Sequence, residues 1–194
     1  MRQISPGLTT LAGDGRTIEY RHWGKWLGKV PAIRRGFIRW SEDLDPLRYN
    51  EAASVAALAN AASAAGYLAL TESIALKRHA TRGRPFRQGR CDLWVADVAE
   101  ARSWAFEFKQ HFCFANVRED TLHVRLERAV DDARDLDRIE ADERFGALIV
   151  GARENVKCSD DFIARMDKIM AGMPLAYRLD DRCGPAWLAF ESVD

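Results

Sequence analysis

The chain has 194 residues, of which 47% are hydrophobic, and its 29 Lys and Arg residues balance its 29 Asp and Glu residues. This length and apolar content favour one domain with one well-packed core. No stretch approaches the roughly 20 consecutive apolar residues of a membrane span, and the N-terminus lacks the apolar core of a secretion signal, so we expect a cytoplasmic protein without membrane contact. The cysteines, Cys91, Cys113, Cys158 and Cys183, form no CxxC pair, which predicts free thiols.

The first 45 residues are predicted to form an irregular arm. Their repeated glycines and weak periodicity indicate turns, with one short strand at 17–21. Between residues 16 and 40 the chain carries seven basic residues and one acid, interleaved with the aromatic residues Trp23, Trp26, Phe37 and Trp40. Basic residues among aromatics suit phosphate contacts and base stacking, although a solvated surface segment is the alternative. The predicted contacts to nucleic acid from this arm are Arg34 and Arg35.

A helix is predicted over 46–65. Asp45 can cap its N-terminus, Pro46 suits its first turn, and Gly66 ends it. Glu51 lies four residues before Val55 and therefore on the apolar stripe of this helix. Two interpretations of Glu51 stay open, an acid turned towards the interior and an acid that favours the helix dipole near the N-terminus. An apolar strand over 67–70 follows.

The segment 77–89 is predicted to be a basic loop. It contains two glycines and a proline, so it is not expected to continue as regular structure. Six basic residues and no acid lie between residues 77 and 90, and this loop returns the chain to the next strand. The residues expected to bind nucleic acid here are Lys77, Arg78, Arg82, Arg84, Arg87 and Arg90.

Residues 91–109 are predicted to form two short apolar strands joined by a polar turn. If the apolar faces coincide, the opposed pairs are Cys91 with Phe108, Leu93 with Phe106, Val95 with Trp104, and Asp92 with Glu107. Directly opposed side chains have Cβ atoms roughly 5 Å apart, close enough for two carboxylates to share one cation. Lys109 points to the same side as Glu107 because strand side chains alternate. The alternative interpretation is an ordinary ion-pair cluster of Asp92, Glu107 and Lys109.

The rest of the chain alternates helices and strands. Helical spacing of apolar residues predicts a helix over 120–136, and a buried strand over 145–150 follows. Ser159 can cap a helix that continues to residue 170. Strands over 175–179 and 186–190 are predicted to form a final hairpin.

Asp92, followed after a spacer by Glu107-x-Lys109, resembles the PD-(D/E)xK signature of the restriction-endonuclease-like nuclease superfamily. Cys91 stands where the superfamily name has proline. The resemblance implies an α/β fold with an αβββαβ core over 46–151, in which helices flank a mixed central sheet. Residues 1–45 would form an N-terminal arm, and residues 152–194 would form a C-terminal helix and hairpin in the same single domain.

The resemblance also implies a site and an activity. Mg²⁺ or Mn²⁺ would be held by Asp92, Glu107, the carbonyl of Phe108 and Glu51, with Lys109 as a further catalytic residue beside the three carboxylates. The expected function is metal-dependent hydrolysis of phosphodiester bonds in nucleic acid, with DNA favoured over RNA. Cutting both strands of a duplex would favour a homodimer. The alternative is a non-catalytic module of the same fold that binds nucleic acid or protein.

Overall fold

The computed structural model describes residues 1–78 and 86–193, and within these ranges the chain is an α/β protein built on one mixed sheet of eight strands. The strands are β1 (Arg2–Ser5), β2 (Leu8–Ala12), β3 (Leu68–Arg78), β4 (Phe86–Asp97), β5 (Arg102–Cys113), β6 (Glu143–Ala152), β7 (Leu175–Leu179) and β8 (Ala186–Ser192). The helices are α1 (Ile18–Leu27), α2 (Val30–Trp40), α3 (Pro46–Tyr49), α4 (Glu51–Ala64), α5 (Glu119–Asp135) and α6 (Asp160–Met170). The strand order is β1-β2-β7-β8-β6-β5-β4-β3.

The central strand β6 is buried on both faces. Ala147 and Ile149 pack in a cluster that includes Trp23 of α1 and Leu58 of α4. Leu148, between them, packs with residues of α5 and α6 on the other face. Burial on both faces explains why this strand is a nearly continuous apolar run in the sequence.

The predicted order of helix, three strands, helix and strand is present in α4, β3, β4, β5, α5 and β6. β3 pairs with β4, and β4 with β5, in antiparallel fashion, whereas β5 and β6 are parallel.

The prediction of a loop over 77–89 is wrong at both of its ends. β3 continues to Arg78 and β4 begins at Phe86, because long polar side chains can extend into solvent from a strand at the edge of a sheet.

The predicted helix over 46–65 is instead two helices, α3 and α4. Asp45 caps α3 by accepting a hydrogen bond from the Leu47 N–H at 3.1 Å. Asn50 has extended backbone and its side chain accepts from the Ala53 N–H at 2.8 Å. The second cap restarts the helix, so Glu51 is the first residue of α4.

The N-terminal segment is not an irregular arm. Its first strands extend the sheet beyond β7, and residues 18–21, predicted as part of a strand, begin helix α1. Thr17 caps this helix by accepting from the Tyr20 N–H at 3.2 Å. Trp23 and Trp26 are fully buried, and the Trp26 indole N–H donates to the carbonyl of Leu58 at 2.7 Å. These aromatic residues therefore belong to the core and do not offer stacking surfaces for bases.

The C-terminal elements were predicted correctly. Ser159 caps α6 by accepting from the Phe162 N–H at 3.3 Å, and β7 and β8 pair as an antiparallel hairpin. This hairpin lies inside the sheet, because β8 pairs with β6 and β7 pairs with β2.

No helix in ranges 1–78 and 86–193 is long and apolar enough to span a bilayer.

Candidate active site

The site forms where β4 separates from β5. The β4–β5 register runs from Asp97↔Arg102 to Leu93↔Phe106, whereas β5 stays paired with β6 from Trp104 to Cys113. Beyond Phe106, two N–H groups of β5 lie outside the β4–β5 ladder and are satisfied by carboxylates. Asp92 Oδ2 accepts from the Phe108 N–H at 2.7 Å, and Glu51 Oε2 accepts from the Gln110 N–H at 2.7 Å.

The predicted register is confirmed for Leu93 with Phe106 and for Val95 with Trp104. The prediction that Cys91 lies opposite Phe108 is wrong. Cys91 packs with Ala105 on the other face of the sheet from the cluster that contains Phe108.

The loss of alternation at Cys91 coincides with an irregularity in the neighbouring strand. The β3–β4 register passes from Thr71↔Leu93 to Ser73↔Cys91, and Glu72 between them has a φ of 52°. Left-handed backbone at a residue with a side chain is uncommon and marks a local bend. Asp92 lies opposite this bend, and the β4–β5 ladder does not pair it with Glu107.

Glu107 is the most deeply buried acid of the site, with 4% of its surface exposed. Burial and the nearby charge of Asp92 raise its pKa to about 8, although the Lys77 ammonium acts in the opposite direction. Lys77 Nζ forms an ion pair with Glu107 Oε1 at 2.8 Å. A buried carboxylate with a strongly raised pKa is a candidate for a functional site.

Asp92 and Glu51 belong to the same electrostatic group. Burial raises the pKa of Asp92 against the opposing effects of the Phe108 N–H, Lys109 and Lys77. Burial also raises the pKa of Glu51, and the charge of Asp92 adds to this effect. The predicted group of three carboxylates is therefore brought close enough for Asp92 to interact with both Glu107 and Glu51.

Lys109 is held by Asp132, a residue of α5. The two side chains form an ion pair, and both are partly exposed. Burial alone would lower the pKa of Lys109, but the hydrogen bond and charge of Asp132, together with Glu51 and Asp92, raise it. Lys109 is thus a cation whose ammonium is anchored on the side of the site opposite β4.

A small cleft lies beside two of the predicted carboxylates. It has a volume of about 180 Å³ and its lining includes Glu51, Asp92, Thr71 and Glu72. A larger cavity of about 590 Å³ lies between β1 and α1, where its lining includes basic residues but no acid that could hold a metal. Of these two, only the smaller cleft is lined by predicted site residues.

A metal ion at this site would have few protein ligands. Among residues 1–78 and 86–193, no three His, Cys, Asp or Glu side chains form a group that could hold a metal ion. Mg²⁺ commonly uses one or two carboxylates and completes its shell with water and substrate phosphate. Asp92 and Glu107 would be the two carboxylates in this mode. The carbonyl of Phe108 faces the same open edge as its N–H, because both groups of one strand residue point the same way.

The prediction that Arg34 contacts nucleic acid is wrong. Its side chain is fully buried and makes two hydrogen bonds to Asp45, at 2.5 and 3.1 Å. Arg35 is exposed, and its guanidinium lies 3.8 Å from Asp181. Lys77 was also predicted to contact phosphate, but its side chain is only 13% exposed and is paired with Glu107.

The other predicted basic contacts divide into two groups. Arg78, Arg87 and Arg90 are exposed on β3 and β4, and Arg90 forms a surface ion pair with Glu72 at 3.1 Å. Arg82 and Arg84 lie outside the described residues. The exposed arginines place positive charge on the hairpin that also carries Asp92.

Sequence reasoning missed Asp132 and the role of Lys77 inside the site. Asp132 follows the buried Ala129 by three residues, so helical spacing places it on the flank of the inward stripe of α5. That signal was present in the sequence.

Comparison of the chain with family models, with curated proteins and with solved structures found no match.

Proposed function

We propose that this protein is a divalent-metal-dependent nuclease of the restriction-endonuclease-like superfamily, which hydrolyses phosphodiester bonds in nucleic acid and prefers DNA. The observation that carries the proposal is the placement of Asp92, Glu107 and Lys109 at the open edge of β5. Asp92 and Glu107 are carboxylates with raised pKa values, Asp132 anchors Lys109 near them, and Asp92 lines a small cleft. Groups with perturbed pKa values in a cleft are candidates for catalysis.

The arrangement of the elements supports the same proposal. The resemblance implies a core in which a helix, three strands, a helix and a strand follow one another around a mixed sheet. α4, β3, β4, β5, α5 and β6 have this order, and the sheet is mixed. The motif residues also lie on β4 and β5, the two strands that the PD-(D/E)xK resemblance requires.

The chemistry follows from the positions of the side chains. A bound divalent cation would polarise the phosphoryl oxygen and lower the pKa of a coordinated water. Asp92 and Glu107 would hold this cation at the edge of β5. Glu51 fixes the backbone of β5 through the Gln110 N–H and adds negative charge to the cleft.

Lys109 supplies positive charge where negative charge develops on the phosphate. Asp132 restrains its ammonium, so Lys109 is positioned before substrate arrives. Preorganised charge of this kind stabilises a transition state more than a bound ground state. Lys109 is therefore expected to affect the rate of cleavage more than the affinity for nucleic acid.

The test is cleavage of labelled plasmid, linear duplex, single-stranded DNA and RNA with Mg²⁺, Mn²⁺ or chelator. We expect metal-dependent cleavage by the wild type and a loss of about 100-fold or more in Lys109→Ala and Glu107→Ala. Affinity for a labelled duplex, measured by fluorescence anisotropy with Ca²⁺ in place of Mg²⁺, should change little. Lys168→Ala, an exposed lysine on α6, is the matched control and should cleave normally.

Two outcomes would decide against the proposal. If the wild type cleaves none of these substrates with any divalent ion but still binds nucleic acid, the protein is a binding module. If Lys109→Ala cleaves as fast as the Lys168→Ala control, the activity arises from another site.

The exposed arginines of the β3–β4 hairpin should supply part of the affinity. Neutralised phosphates release counterions, so binding should weaken with salt, and replacing Arg78, Arg87 and Arg90 together by Gln should flatten that dependence. An unchanged salt slope in the triple variant would show that this surface does not contact the nucleic acid.

A further inference from the structure

Lys77 reaches the candidate site from two strands away. It belongs to the edge strand β3, whereas Glu107 lies on β5, so the lysine side chain must cross β4. Two strand spacings amount to roughly 9.5 Å, so the lysine side chain must extend over β4 along the face of the sheet. The ammonium nevertheless lies 2.8 Å from Glu107 Oε1, with 13% of the Lys77 side chain and 5% of the Glu107 side chain exposed.

Gly89 provides the path across β4. A Cβ atom at this position would lie 2.8 Å from Cδ and 3.0 Å from Cγ of Lys77. Real Cβ atoms do not approach other carbons so closely, so a side chain at position 89 would force the flexible lysine chain to shift from this path. Gly89 does not have left-handed backbone, and what it provides here is therefore space.

The backbone that carries Lys77 is fixed by its neighbours. The Leu76 N–H donates to Glu140 Oε1 at 2.7 Å, and the Leu76 carbonyl accepts from the Asp137 N–H at 2.8 Å. Lys77 itself forms an isolated bridge with Leu136. Because a lysine carries its ammonium on a flexible four-carbon stem, displacement from Glu107 would be a change of rotamer with this backbone in place.

The ammonium lies where a metal bound by Glu107 would need to be. Oε1 of Glu107 is fully buried and its nearest charged partner is Lys77. A divalent ion on this oxygen and an ammonium 2.8 Å away would repel each other strongly in a site of low dielectric. The ammonium of Lys109 would not repel the divalent ion in the same way, because it is paired with Asp132 and not with Glu107.

We propose that Lys77 is a tethered cation that occupies the metal position beside Glu107 and is displaced when a divalent ion binds. The inference rests on the proposed function, since it takes Glu107 to be a metal ligand. Lys77 then sets the metal affinity, because only the fraction of molecules with the lysine displaced is competent to bind. It also stabilises the metal-free fold by offsetting the charges of Asp92 and Glu107.

The test is the Mn²⁺ concentration that gives half of the maximal rise in melting temperature, measured on metal-free protein without nucleic acid. Lys77→Met removes the tethered charge, and Gly89→Ala displaces the lysine without changing any charge. We expect both variants to need about tenfold less Mn²⁺ than the wild type. Arg87→Met is the matched control, because Arg87 is the exposed cross-strand partner of Lys77 and its loss removes the same charge.

A half-saturation concentration in both variants within about threefold of the wild type would overturn the role of Lys77 and leave the proposed metal site standing. An Arg87→Met shift as large as that of Lys77→Met would also overturn it, since net charge would then explain the effect. If Lys77→Met does not fold, Gly89→Ala decides alone. If the wild type itself shows no response to Mn²⁺, both the metal site and the role of Lys77 are refuted.

Discussion

The pKa of Glu107 predicts how the stability of the metal-free protein depends on pH. Above the ordinary value of 4.5 the unfolded chain has released this proton, whereas the folded protein keeps it until about pH 8. The folded state therefore binds one more proton in this window, and the free energy of unfolding falls as pH rises. At about 1.4 kcal/mol per pH unit, the loss between pH 4.5 and about 8 is on the order of 5 kcal/mol.

Glu107→Gln isolates this effect, because it removes the titrating group at nearly constant volume. Its free energy of unfolding minus that of the wild type should rise steadily between pH 5 and 8. The effect of Lys77 is already contained in the pKa of Glu107, because the ion pair forms only when the carboxylate is ionised. The measurement is urea denaturation in chelator at four pH values, and Glu154→Gln, an exposed glutamate, is the control with the same chemical change.

A flat difference curve for Glu107→Gln would refute the reasoning, since it would mean that the buried carboxylate has the same pKa in the folded and unfolded protein. A slope in the Glu154→Gln control equal to that of Glu107→Gln would refute it as well. Addition of Mn²⁺ to the wild type should reduce the slope, because a bound cation favours the ionised carboxylate.

Three further predictions concern stability. Arg34→Met leaves the buried carboxylate of Asp45 without its cationic partner and should lower the free energy of unfolding by about 3–5 kcal/mol; a loss below about 1 kcal/mol in urea denaturation would contradict a buried pair. Gly146→Ala places a Cβ 2.3 Å from the backbone nitrogen of Val130, which should separate α5 from β6 and lower stability by about 1–3 kcal/mol or more; an unchanged melting temperature would contradict this close packing. Asp92→Asn removes one of the clustered negative charges and should raise the stability of the metal-free protein by about 1 kcal/mol while weakening its response to Mn²⁺; a lower melting temperature in chelator would favour the ion-pair interpretation.

The elements that the sequence predicted best are those whose signal is local. The apolar spacing over 120–136 corresponds to α5, and Leu122, Leu126 and Ala129 are all buried. The apolar run over 145–150 lies within β6. In both cases the periodicity of a single element decides which face meets the core, so no knowledge of distant contacts is needed.

The N-terminal segment was mispredicted because its glycines obscured a helical pattern. Gly24 and Gly28 suggested turns, yet Gly24 is buried within α1 and Gly28 ends the helix. Arg34 was misassigned although a signal was available. It lies four residues after Val30 and four before Ile38, on the buried stripe of α2, and helical spacing of this kind was applied to Glu51 but not to Arg34.

Strand alternation predicted that Glu107 and Lys109 lie on one side of β5, but the predicted pairing of Asp92 with Glu107 is absent from the β4–β5 ladder. The partners of the motif residues come from elsewhere in the fold. Asp132 approaches from a helix on the other side of β5, and Lys77 crosses a strand at a glycine. Such contacts depend on the strand order and on the space left by Gly89, which a single sequence does not specify.

The position of the final hairpin in the sheet has a consequence for folding kinetics. Leu8 of β2 pairs with Leu179 of β7, so the two N-terminal strands gain their partner only after nearly the whole described chain is available. β8 then fills the place between β7 and β6 in the interior of the sheet. Loop closure over such sequence separations is entropically unfavourable and slow. The hairpin β3–β4, whose contacts are local, should therefore form early, and β1 and β2 should dock last, so that mutations in β2 accelerate unfolding with little effect on the folding rate.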